Sequence, residues 1–279
     1  YYEIRVELAN SGFEYFAGGE FQKVNGDGTG PDNHTVAANA GYNVVTTQAG
    51  AAALTAGAGK TLIIAENLGD GKAMNYAMDA ANGEWQLTDY VKKGIELLNN
   101  KKGFFLMTES GKIDWACHAN DAAASIHDVL EMSNAVQAAV DFYNAHPNET
   151  LILVTADHET GGMTIGFATT AYDTHFQYLQ NQKTSFTAFD DVISELKENG
   201  ATFEDAMAKV EELYGLTTKE GEALSQTATD VESLRKAWDV AMGTQEIDKA
   251  EASLLYGGYN PFSMAVSHIM NNKAGLSYT

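Results

Sequence analysis

The chain has 279 residues, of which 44% are hydrophobic, enough for one large domain or a core with an insertion, and a composition that excludes long disorder. Its formal charge of −21, from 38 acidic against 17 basic residues, repels nucleic acid and anionic membranes, so neither is an expected partner. No apolar run approaches the roughly 18 residues of a membrane span.

In chain order, residues 1–10 have helix-like composition and 13–16 fit a short strand. Residues 17–33 are loop-like. They read as plain surface rather than as a calcium loop, because Pro31 stands where an oxygen ligand is needed and no spaced glutamate completes the set. Residues 42–46 and 61–65 predict short buried strands with an Ala-rich helix between them. Residues 87–99 carry apolar side chains at helical spacing, at Leu87, Tyr90, Val91, Ile95 and Leu98. Residues 103–108 predict a buried strand, 122–145 a long helix, 150–156 another buried strand, and 163–167 one more. Continuous apolar strands alternating with helices predict an α/β fold, a mostly parallel sheet with helices on both faces.

Composition shifts after this. From 168 to 258 the chain is polar and helix-rich, with amphipathic patterns at 190–196, 203–210 and 231–242, and reads as a helical insertion. Residues 261–272 predict a returning helix with proline in its first turn, and 275–279 the start of a strand. The division is a core over 1–167, the insertion over 168–258, and the return helix with the start of a core strand over 259–279. The start, Tyr1-Tyr2, is neither an initiator methionine nor a signal peptide and reads as a processed or excised piece. Cys117 is the only cysteine, so no internal disulfide forms, and it reads as a packed thiol.

Two segments carry the chemistry. Residues 106–118 read Leu-Met-Thr-Glu-Ser-Gly-Lys-Ile-Asp-Trp-Ala-Cys-His, and 151–162 read Leu-Ile-Leu-Val-Thr-Ala-Asp-His-Glu-Thr-Gly-Gly. Each places carboxylates and a histidine after an apolar run, where open α/β sheets bind ligands. Glu109, Asp114, His118, Asp157 and His158 form a mixed oxygen and nitrogen donor set suited to divalent metals. Taken singly, Asp114 and His118 are an ordinary i,i+4 pair and Asp157 a turn-capping aspartate; two such strand ends together point to metal. His127 fits helix surface or support of a site, His34, His146 and His175 fit loops, and His268 fits a helix rather than a ligand.

The segment Thr108-Glu109-Ser110-Gly111-Lys112-Ile113-Asp114-Trp115-Ala116-Cys117-His118 resembles the alkaline phosphatase motif Glu-Gly-x-x-Ile-Asp-x-x-x-His. Thr155-Ala156-Asp157-His158-Glu159-Thr160-Gly161-Gly162 resembles its second motif, in the form of the bacterial, Bacillus-type branch. Phe13-Glu14-Tyr15-Phe16-Ala17-Gly18-Gly19 resembles a turn of the same family. The resemblance implies hydrolysis of small phosphomonoesters by two zincs and a magnesium through a phosphoserine, in the periplasm or outside the cell. It implies that Asp114 and His118 bind the first zinc, Asp157 and His158 the second, and Glu109 the magnesium.

The departures are as specific. The family's Asp-Ser-Ala nucleophile motif and Gly-Asp-Gly-Met segment are absent, as is its His-Thr-Gly motif, and the only arginines, Arg5 and Arg235, match no phosphate-binding position. The expected identity is therefore a C-terminal fragment, inactive alone, with an incomplete sheet whose bare surface favours a homodimer or marginal stability. A phosphomutase of the same superfamily, or a noncatalytic metal-binding or interaction domain, is the alternative.

Overall fold

The structure, a computed structural model, describes residues 2–278. Its elements are α1 (Tyr2–Leu8), β1 (Tyr15–Gly18), α2 (Asn33–Asn39), β2 (Asn43–Val45), α3 (Gln48–Ala53), β3 (Thr61–Ile64), α4 (Leu87–Leu98), α5 (Lys112–His118) and α6 (Ala122–Ala145). There follow β4 (Thr164–Ile165), α7 (Phe186–Glu198), α8 (Phe203–Tyr214), α9 (Ala228–Met242), α10 (Lys249–Tyr256), α11 (Pro261–Lys273) and β5 (Leu276–Ser277). The chain divides into two compact units, one of Tyr1–Ser110 with Leu130–Val154, the other of Gly111–Val129 with Thr155–Thr279.

In the first unit three parallel strands run in the order β1-β3-β2, Thr61 pairing with Tyr15 on one side and Asn43 on the other. β3 is buried along its whole length, as a central parallel strand must be. Its period-two geometry sends Leu62 and Ile64 toward Ala37 of α2 and Tyr42, and Ile63 toward Ala51 of α3 and Tyr90 of α4. Thr47 caps the start of α3, its hydroxyl accepting from the Gly50 amide at 3.1 Å. At the other end of α3 the Lys93 ammonium donates to the Ala52 and Leu54 carbonyls, a cation where the helix dipole wants one.

The expected strands over 103–108 and 150–156 do not form; neither belongs to a ladder among the described residues. Phe104 meets Phe142 of α6 edge-on at 5.5 Å, and Leu106 packs on Val91, Ala135 and Ala138. The alternate side chains Phe105 and Met107 are 73% and 72% exposed, and Leu151 and Leu153 are 81% and 82% exposed. The period-two apolar pattern is present, but a strand exists only in a ladder, and no neighbouring strand is hydrogen-bonded to these residues. The strand expected over 163–167 shrinks to β4, which pairs antiparallel with β5, Ile165 opposite Leu276. The short helices α2 and α10 were not legible in the hydrophobic pattern; Asp32 and Asp248 cap them.

The second unit is built around α11. Phe262, Val266 and Met270 are fully buried. The Phe262 ring lies 5.3 Å from Trp238 of α9, 6.1 Å from Phe189 of α7 and 6.5 Å from Phe203 of α8. Thr202 with Asp205, and Thr227 with Asp230, form capping boxes that start α8 and α9. Among the described residues no helix is long and apolar enough to cross a membrane.

Asp121, 1% exposed, joins several of these pieces. One carboxylate oxygen accepts from the Ala124 amide at 3.0 Å in the first turn of α6 and from Gln182 Nε2 at 2.8 Å. The other accepts from the Phe186 amide at 2.8 Å, where α7 begins. Replacing Asp121 by alanine strands three buried donors. We expect Asp121→Ala to lose about 3 kcal/mol of stability in urea titrations, and Asp121→Asn less because it retains an acceptor; an unchanged midpoint would refute this role.

Candidate metal centre

α5 is two turns long, too short to be stable alone, and has no side-chain cap at its start. Contacts within it and with its neighbours hold it. The Lys112 ammonium lies 4.8 Å from the Trp115 ring centre, and the Cys117 thiol lies 3.3 Å from the Ser125 hydroxyl. Burial pushes the Cys117 thiol up from its ordinary pKa, which disfavours the thiolate form. On the exposed side of the helix, Asp114 and His118 are one turn apart, His118 Nε2 3.5 Å from Asp114 Oδ2.

The second pair stands in the loop that follows 151–156. Asp157 Oδ1 accepts from the His158 amide at 3.0 Å. His158 Nδ1 lies 3.0 Å from the Glu159 carbonyl oxygen and 3.2 Å from Thr160 Oγ1. A carbonyl only accepts, so the network assigns the ring proton to Nδ1 and leaves Nε2 bare in the neutral ring. That bare nitrogen faces Asp157 Oδ2 at 3.5 Å. Two lone-pair donors so placed call for a proton or a metal cation between them. The Glu159 carbonyl first, and then the Asp157 carboxylate, raise the His158 pKa above its ordinary value.

Thr160 joins the two pairs. Its hydroxyl donates to Asp114 Oδ1 at 2.6 Å while its oxygen is within reach of the His158 Nδ1 proton. The loop closes on itself through the Gly162 amide, 3.0 Å from one Glu159 carboxylate oxygen. Gly161 seats it on α5. Its φ is +77°, and a Cβ there would collide with the Cys117 carbonyl oxygen and lie 3.1 Å from the Tyr278 ring. The position therefore requires glycine twice over, for its backbone conformation and for its close approach.

Four of the five expected residues, Asp114, His118, Asp157 and His158, thus belong to one compact unit and are linked through Thr160. Glu109 lies exposed in the other unit. Among the described residues no three His, Cys, Asp or Glu side chains converge as a ready-made ligand set. The donors fit a divalent ion in kind, carboxylate oxygen beside imidazole nitrogen, and stand in pairs rather than in threes. His34 is paired with Glu20, and His146 and His175 lie against Phe142 and Tyr178. Thr160 is the residue that motif reading misses. Its spacing in sequence gives no sign that its hydroxyl bridges two donor pairs.

A family model described as alkaline phosphatase matches residues 22–246. The chain is 44% identical over 91 residues to alkaline phosphatase 4 of Bacillus subtilis, a match spanning 32% of this chain and 20% of that protein. The crystal structure of the cold-active alkaline phosphatase of the psychrophile Shewanella sp. is similar in fold, with a TM-score of 0.74 at 21% identity, over 99% of this chain and 58% of that one. The alkaline phosphatase of the Antarctic bacterium TAB5 is similar at a TM-score of 0.51 and 28% identity, over 59% of this chain and 47% of that one. A variant of the TAB5 protein holds Mg in its M3 site. The chain spans less than two thirds of the length of each of these relatives.

The geometry around His158 makes a testable statement about protonation. An NMR titration should give His158 a midpoint above the ordinary value of 6.5. Asp157→Asn should lower the midpoint only in part, since the larger contribution, the Glu159 carbonyl, remains. A midpoint at or below the ordinary value would contradict the tautomer assigned here.

Proposed function

Because this chain belongs to the alkaline phosphatase family, we propose that it serves phosphomonoester hydrolysis as the metal-holding, C-terminal part of a longer enzyme. The observation that carries this reading is the hydrogen-bonded link from His158 through Thr160 to Asp114, which gathers the two carboxylate–imidazole pairs into one polar patch. Asp114 with His118 would hold one zinc, Asp157 with His158 a second, and Glu109 a magnesium. Divalent metals supply Lewis-acid stabilisation of phosphoryl oxygens and ready deprotonation of an attacking group.

The side chains have their own tasks. Thr160 fixes the rotation of the Asp114 carboxylate and leaves Oδ2 on the His118 side. The Glu159 carbonyl holds the Nδ1 proton of His158, so that Nε2 presents its lone pair. In the whole enzyme the reaction would pass through a phosphoserine. This chain has no Asp-Ser-Ala motif, so we read it as inactive alone. The form of the 155–162 motif and the Bacillus subtilis relative support a place in the Bacillus-type branch. The same kinship supports a location in the periplasm or outside the cell. A noncatalytic metal-binding role is the second reading, favoured by the same missing nucleophile.

The bare apolar side chains Phe105, Met107, Leu151 and Leu153 support self-association into a homodimer. Sedimentation should show concentration-dependent association that Phe105→Ser weakens; a monomer at all concentrations would exclude it.

The purified chain should hydrolyse an activated aryl phosphate negligibly at alkaline pH with zinc and magnesium, several orders of magnitude below an intact enzyme. Substantial turnover abolished by a chelator would overturn the inactivity. Calorimetry should show weak zinc binding, since each pair offers two ligands where zinc wants at least three, and Asp157→Ala should weaken it further. Zinc affinity should rise with pH through a midpoint above 6.5, because the raised His158 pKa makes protons compete longer for Nε2. Tight binding of two zincs, or affinity indifferent to Asp157→Ala, would contradict the ligand assignment.

A further inference from the structure

α5 ends in an unusual turn. Asn120 sits in the left-handed region at φ +52°, and its amide bonds the Cys117 carbonyl at 3.0 Å while the Asp121 amide bonds Ala116 at 2.9 Å. Two side chains of α11 close on this turn. Asn271, 3% exposed, donates its amide to the Asn120 carbonyl at 2.7 Å. His268 Nε2 lies 3.1 Å from Asn120 Nδ2. An amide nitrogen only donates, so the ring accepts at Nε2 and is neutral. Burial lowers the His268 pKa and favours that neutral form. His268 and Asn271 are three residues apart and share one face of a helix anchored by the buried Phe262, Val266 and Met270.

A glycine would accept the backbone of position 120 more easily, but it has no amide to offer His268. Asparagine meets both demands. The turn so fixed lies two residues after His118, and the Cys117 carbonyl it bonds is the one against which Gly161 seats the Asp157–His158 loop. Both donor pairs therefore take their position from it.

We propose that His268 and Asn271 are positioning residues for the metal centre, locking the Asn120 turn so that α5 holds Asp114 and His118 in register with the 157–162 loop. This rests on the metal-holding reading of those pairs. Neither residue touches the donors, and their effect passes through Asn120.

The test compares His268→Leu, His268→Gln and Asn120→Gly with the wild-type chain, using zinc calorimetry and amide hydrogen exchange. His268→Leu removes the acceptor. Asn120→Gly keeps the turn but removes the donor, and it serves if the leucine variant fails to fold. Both should weaken zinc binding by up to about tenfold, the lower end of what a partner bonded directly to a metal ligand is worth, because the effect passes through Asn120. Both should also speed exchange of the α5 amides while those of α9 stay unchanged, a pattern that general destabilisation would not give. The glutamine carbonyl of His268→Gln can accept from Asn120 and should restore most of the affinity. Zinc affinity equal to wild type in both His268→Leu and Asn120→Gly overturns the proposal. If the wild-type chain binds no zinc, the metal reading has failed and α5 exchange alone decides: faster in both variants supports the lock, unchanged overturns it.

Discussion

The close approach of Gly161 to the Cys117 carbonyl is the constraint on which the candidate centre depends. It brings the loop over 157–162 down onto α5 with no side chain between them. Only then does Thr160 lie within 2.6 Å of Asp114 while also reaching His158. The two pairs are contributed by segments about forty residues apart in sequence, and neither is rigid alone. α5 has two turns, and the loop has no regular structure. Each is fixed by what it is packed and bonded to.

What supports α5 is the helical part of its own compact unit. Asp121 ties the step between α5 and α6 to Gln182 and to the start of α7. α11 grips the turn at Asn120. Behind it the ring cluster around Phe262 joins α7, α8 and α9 to α11. The polar, helix-rich stretch from 168 to 258 is thus, within this unit, part of what holds the candidate ligands, and a cavity in its aromatic core would be felt at α5.

Much of this was legible in sequence where local physics decides. The long helix over 122–145, the helices expected at 87–99 and 231–242, and the strand expected at 61–65 all form, with ends shifted by at most three residues. The two motifs put the donor pairs in view, carboxylate and histidine at i,i+4 on α5 and side by side after an apolar run, though either pair alone is an ordinary surface feature. Three things were not legible. The runs over 103–108 and 150–156 have strand composition, yet ladder formation depends on neighbours that no local pattern reports. Thr160 and Asn120 act through contacts with residues far along the chain. Nor does the motif pattern show that Glu109 belongs to a different compact unit from Asp114, only five residues on.

The most direct test of the paired-donor centre is the zinc K-edge X-ray absorption spectrum of the chain loaded with one equivalent of zinc. Expected is a first shell of nitrogen and oxygen at about 2.0–2.1 Å with the multiple scattering of imidazole, losing much of that scattering in a His118→Ala, His158→Ala variant. A sulfur shell at about 2.3 Å, which would bring in Cys117, or a shell of oxygen alone with no imidazole, would contradict it.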